Sequence, residues 1–277
     1  MKKTIVFVLA LLMAVTALPA RISWAEAEQP AQEGPYRISV SDQTQQTVKG
    51  WGVYPCSVGP DWLNKTVAQK AIYKDMGITQ YRIELRGQAG DADGRIVNDV
   101  YGYFVSSIQL AMDYGVDRYS VHVWSPPPGM KDNNNISGFR DDGKQAKLLE
   151  SKEQTFCDWV VRCFQGLEER GLPLPIAFSF SNEPDVVKEY QSCGYEMDQY
   201  IRVAKLMRRT LDAAGYAEID LLGPEGGGYI SNKRWFGENA SAFDEDPEYA
   251  DAIDAIATHS YPCLLYTSPS PRDPKTS

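Results

Sequence analysis

The chain has 277 residues, with 28 Lys+Arg against 37 Asp+Glu and a net charge of −9. It has no basic run or stripe that could follow a phosphate backbone, which excludes nucleic acid as an expected partner. Two histidines are too few for the usual His-rich metal site, and no Cys/His cluster is present, so neither a metal nor an organic cofactor is expected.

The chain opens on two lysines and an apolar stretch from Thr4 to Leu18, which is short for a bilayer-spanning helix. With small residues at Ser23, Ala25 and Ala27 as cleavage positions, residues 1–27 read as a signal peptide. The mature protein is then expected to be secreted or periplasmic, with no membrane association after cleavage. Residues 28–35 form a polar linker. YRISV (36–40) reads as a strand of a side β-domain, and QTVKGWGVY (46–54) as a second strand ending around Gly50-Trp51-Gly52.

From there the pattern alternates. Helix-like 62–76 leads to strand TQYRIEL (79–85), and helix 97–115 leads to strand RYSVHVW (118–124). Helix 149–170 leads to PIAFSF (175–180), helix 195–213 to EIDLLG (218–223), and a looser segment at 246–254 to AIATHSY (255–261). Six βα-type units in one order imply a parallel sheet with helices outside. A doubly wound open sheet and a (β/α)8 TIM-type barrel both fit. GWG is not the GxGxxG of dinucleotide binding, and polar and aromatic residues gather at the C-terminal ends of several strands: Arg82, Trp124, Asn182-Glu183, Glu225, His259 and Tyr261. That distribution favours an α/β barrel with its site on the top face. Residues 36–262 are expected to form this domain, a barrel truncated after its sixth strand.

Five cysteines leave at least one unpaired within the chain. Cys157 and Cys163, six apart on one helix, lie ~9 Å apart and cannot bridge. Cys56 and Cys193 could meet, with buried free thiols the equal alternative.

The chemistry centres on FSFSNEPDV (178–186), where an apolar strand ends in Asn182, Glu183 and Pro184. Pro184 cannot donate to a ladder, so Glu183 belongs at a strand end, where a carboxylate could serve glycosidase-like acid/base chemistry. Six Trp and sixteen Tyr could supply the flat platforms that polysaccharide sites need. Arg82 could instead be a buried charge paired with Glu84 or another acid, and His259 an ordinary strand-end histidine, while Glu225, in GPEGGG, reads first as a solvated turn.

These motifs resemble glycoside hydrolase family 30, in the clan of (β/α)8 retaining glycosidases. They are the I-x-V strand and K-G-W-G entry (38–52), Y-R-I (81–83), W-S-P-P-P-G-M-K-D-N (124–133), S-N-E-P (181–184) and H-S-Y-P (259–262). The resemblance implies that Glu183 is the general acid/base and Asn182 its neighbour. It implies a sugar-binding set of Trp51, Trp124, His259 and Tyr261, with Arg82 as the arginine that props the site. Gly129 departs from the tryptophan many members carry there. The implied partner is a polysaccharide or oligosaccharide, with xylan or glucuronoxylan the first expectation and β-1,6-glucan the second. A non-catalytic carbohydrate-binding barrel is the alternative. A serine hydrolase is disfavoured, since no G-x-S-x-G occurs.

A retaining glycosidase needs a second carboxyl ~5 to 5.5 Å from the first, which in this clan stands on the seventh strand. The spacing of the six strands puts a seventh beyond residue 277, so the chain is expected to lack the nucleophile and to be inactive as written. CLLYTSPSPRD (263–273) resembles the translation of a transposase adapter used in sequencing libraries, so 263–277 is expected to be a foreign tail.

Overall fold

In a computed structural model, residues 42–43, 50–54, 70–228 and 233–259 are described. The signal peptide, the linker, the strand at 36–40, Cys56, Tyr261 and the tail lie outside them. The chain divides into two compact units, Met1–Thr47 and Val48–Ser277, and every element below belongs to the second.

Six strands make one sheet: β1 (Gly52–Val53), β2 (Gln80–Glu84), β3 (Arg118–His122), β4 (Ala177–Ser179), β5 (Asp220–Gly226) and β6 (Ala255–Thr258). Every neighbouring pair is parallel, and the spatial order is the chain order. A doubly wound sheet reverses its order at a switch point. This sheet does not, and it forms the curled half of a TIM-type barrel.

Helices α1 (Asn98–Asp113), α2 (Glu153–Glu168) and α3 (Met197–Ala213) connect β2 through β5, and α4 (Lys233–Glu245) and α5 (Pro247–Ala252) precede β6. The looser segment expected at 246–254 is thus the second of two helices. Asp246 caps α5, its carboxylate accepting from the Tyr249 amide at 3.1 Å. A π-helical turn, Lys70–Asp75, is what is described of the helix expected at 62–76.

Strand alternation sorts the side chains. Tyr81, Ile83 and Leu85, Tyr119, Val121 and Val123, Phe178 and Phe180, and Leu221 are all buried in the core they share with the helices. The in-register partners Arg82 and Ser120, and His122 and Ser179, turn the other way. Phe178 meets Phe164 of α2 edge-on, ring centroids 5.4 Å apart. Phe178→Ala is expected to cost about 3–5 kcal/mol by opening a cavity there, read as a lowered urea midpoint at unchanged slope. Cys157, Cys163 and Cys193 are free and buried.

Candidate active site

The C-terminal ends of β2 to β6 carry a connected polar cluster. Glu183 sits just beyond β4 in the left-handed region, φ +52°, which a residue with a Cβ seldom adopts unless its surroundings hold it there. The backbone holds it: the Glu183 amide donates to the Glu225 carbonyl at 3.0 Å. Gly227 packs on its side chain, a Cβ at that glycine falling 3.5 Å from Glu183 Cγ. Asp185, buried, accepts from the Gly227 amide at 2.8 Å. Burial pushes the Asp185 carboxyl up, and the Gly227 bond opposes this.

His259, just past β6, joins two carboxylates: Nδ1 lies 2.8 Å from Glu183 Oε1 and Nε2 lies 3.3 Å from Glu225 Oε1. Burial disfavours its charge, but the hydrogen bonds to Glu183 and Glu225 outweigh burial and push it up to about 9. An imidazolium donating from both nitrogens fits that geometry. His122 Nδ1 stands 2.9 and 2.8 Å from the two Glu225 oxygens, and its Nε2 is 2.9 Å from Ser120 Oγ. Burial pushes His122 down despite Glu225. A neutral ring with its proton on Nδ1 satisfies both contacts.

Glu225 is therefore the hub. Arg82 Nη2 donates to it and, at 2.8 Å, to Asn182 Oδ1. Burial opposes ionisation of Glu225, yet His122, His259 and Arg82 together hold its carboxyl well below the usual carboxylate range. The expected solvated turn is corrected here. β5 runs on to Gly226, with Gly226 in register with Thr258, and Glu225 is 2 % exposed.

The Arg82 guanidinium lies 4.5 Å from the Trp124 ring centre and 4.9 Å from that of Tyr54, and the two rings stack 5.2 Å apart. Trp124 is buried, so its ring props Arg82 rather than offering an open platform. Tyr54 escaped the sequence reading, although alternation from Gly52 places it on the same face of its strand. Arg82 pairs with an acid, as the alternative above had it, and the acid is Glu225 rather than Glu84.

Arg82, Trp124, Asn182, Glu183 and His259 are thus brought together. Trp51 is not: its carbonyl accepts from the Thr79 and Gln80 amides, at the N-terminal entry of the sheet, and its side chain is 65 % exposed. Gly129 is demanded by crowding, since a Cβ there would fall 2.5 Å from Ala92 Cβ. Buried Lys131 ties the rim loops, Nζ donating to Ser125 Oγ (3.0 Å) and to the Ser137 and Ser192 carbonyls (both 2.7 Å). No group of His, Cys, Asp and Glu among the described residues could hold a metal ion.

No family model and no curated protein sequence matches the chain. Solved structures do. The family 30 subfamily 8 xylanase of Clostridium acetobutylicum superposes with a TM-score of 0.60 at 22 % identity, covering 78 % of this chain and 51 % of its own. The catalytic domain of the family 30 xylanase C of Talaromyces cellulolyticus gives 0.57 at 18 %, covering 78 % and 54 %. An endo-β-1,6-glucanase gives 0.62 at 14 %, covering 78 % and 52 %. The fold is the one these hydrolases share. The chain spans about half the length of each of them.

Proposed function

We propose that this chain carries the acid/base half of a retaining β-glycoside hydrolase, exported from the cell and acting on polysaccharide. Xylan or glucuronoxylan is the first substrate class and β-1,6-glucan the second; xylanases and an endo-β-1,6-glucanase share the fold. The observation that carries the reading is the Glu183 carboxyl, held at the C-terminal end of β4 by a left-handed backbone and by His259. In that role Glu183 takes the proton that His259 Nδ1 holds against it, gives it to the leaving oxygen, and then takes a proton from the incoming water. Asn182, oriented by Arg82, is placed to meet a sugar hydroxyl.

Glu225 does not serve as the nucleophile. Its carboxylate is buried and already engaged by Arg82, His122 and His259. The two-step route through a glycosyl-enzyme then needs a carboxylate that no described residue supplies. The chain alone is expected to bind xylo-oligosaccharide or β-1,6-gluco-oligosaccharide and to hydrolyse neither xylan nor an aryl β-xyloside above a Glu183→Ala control. Turnover by a monomeric preparation, abolished by Glu183→Ala, would place the second carboxylate within this chain. Absence of binding to either sugar would overturn the glycan reading.

A further inference from the structure

Glu84 ends β2 two residues beyond Arg82, so both side chains leave the same face of the strand. It is in register with His122, which carries the Glu225 hub. Its side chain is 9 % exposed, and Oε1 is buried without a hydrogen-bond partner among the described residues. Its other oxygen lies 3.6 Å from Arg86 Nε, beyond a good hydrogen bond. Gln191, opposite Ser137 on the loop tied down by Lys131, brings its amide against the Glu84 carboxyl and leaves its own Oε1 buried and unpaired. One oxygen of each group, Glu84 Oε1 and Gln191 Oε1, thus lacks a donor at the end of the sheet that carries Glu183, while the Gln191 amide and Arg86 face the rest of the Glu84 carboxyl. A buried acceptor left unpaired costs stability, and a ligand that donates hydrogen bonds relieves that cost.

We propose that Glu84, with Arg86 and Gln191 beside it, is a hydroxyl-reading subsite for a sugar residue of the bound glycan. The subsite rests on the glycan reading above. A sugar hydroxyl donates one hydrogen bond and accepts others. Glu84 Oε1 accepts the hydrogen bond the hydroxyl donates, and the Arg86 Nε–H, on a partly exposed side chain, supplies the bond the hydroxyl accepts. Burial raises the Glu84 carboxyl while Arg86, Arg82 and the Gln191 side chain lower it.

The test is titration calorimetry of the full chain with xylotetraose and with gentiotetraose, comparing Glu84→Met and Glu84→Gln with the unaltered chain. Replacing a buried carboxyl that has one unpaired oxygen by an apolar side chain of similar length is expected to raise Tm by about 2–4 °C. The same change is expected to weaken binding of whichever sugar binds by about ten- to a hundredfold. Glu84→Gln, which keeps an acceptor in place, is expected to lose less. Unchanged affinity in Glu84→Met overturns the subsite and leaves the glycan reading standing. A fall in Tm marks Glu84 as a structural ion-pair partner and also overturns it. Failure of the unaltered chain to bind either sugar overturns both readings.

Discussion

In a protein that continues this chain to the full length of the matched structures, Glu183→Gln is expected to lower turnover about 10²–10⁴-fold on substrates with poor leaving groups. On activated aryl glycosides the loss in the first step should be small. A sugar alkoxide is a poor leaving group and must be protonated as it departs, whereas a nitrophenolate leaves without help. Glutamine keeps the shape and can still accept from His259 Nδ1, 2.8 Å away in the native chain, but it has no proton to give. Binding should therefore survive. The measurement is kcat against leaving-group pKa for native and variant protein. A uniform loss across the series would argue that Glu183 supports the fold of the site rather than protonating the leaving group. A variant with undiminished turnover would favour a different acid, or a barrel that only binds glycans.

Glu225→Gln is expected to be the most destabilising conservative change in the site, at about 3–5 kcal/mol, because it leaves Arg82 and His259 as charges without their buried counter-ion. Its signature is in the pH dependence. The folded pKa of His259 is raised from 6.5 to about 9, so its contribution is complete below 6.5 and is lost as pH rises through about 9. The folded pKa of Glu225 is depressed from 4.5, so its contribution is present above 4.5 and is lost as pH falls through the lower folded value. Native stability from this cluster should be greatest between about 4.5 and 6.5 and decline on the alkaline side. In Glu225→Gln the His259 pKa should fall toward its ordinary value and the alkaline decline should shift to lower pH. With two histidines in the chain, imidazole NMR titration separates His259 from the neutral His122. Urea midpoints between pH 4 and 10 give the stability curve. An unmoved His259 titration would mean that Glu183 alone holds its proton.

Much of the architecture was legible from the chain itself. Six apolar runs of strand length, spaced by helical stretches, imply a parallel sheet. Period-two alternation tells that Tyr81, Ile83 and Leu85 share one face and Arg82 and Glu84 the other, and Pro184 places Glu183 at a strand end. These are local properties: which residue types follow one another decides which way each Cβ points. What was illegible depended on partners far along the chain. GPEGGG looks like a solvated turn because three glycines follow Glu225. It is buried because β6 extends β5 through Gly226 and because Arg82, 143 residues away, and His122, 103 away, put donors on its carboxylate. Trp51 looks like a member of the site by motif, but register against Thr79 puts it at the opposite end of the sheet. Arg82 could have paired with Glu84, its near neighbour, yet strand order carries its guanidinium to Asn182 and Glu225, beside the stacked rings of Tyr54 and Trp124. Alternation along one strand assigns each residue to a face. Which charges meet on that face depends on the lateral order and register of the strands, and those arise only when the sheet closes its hydrogen bonds and buries its apolar side under the helices.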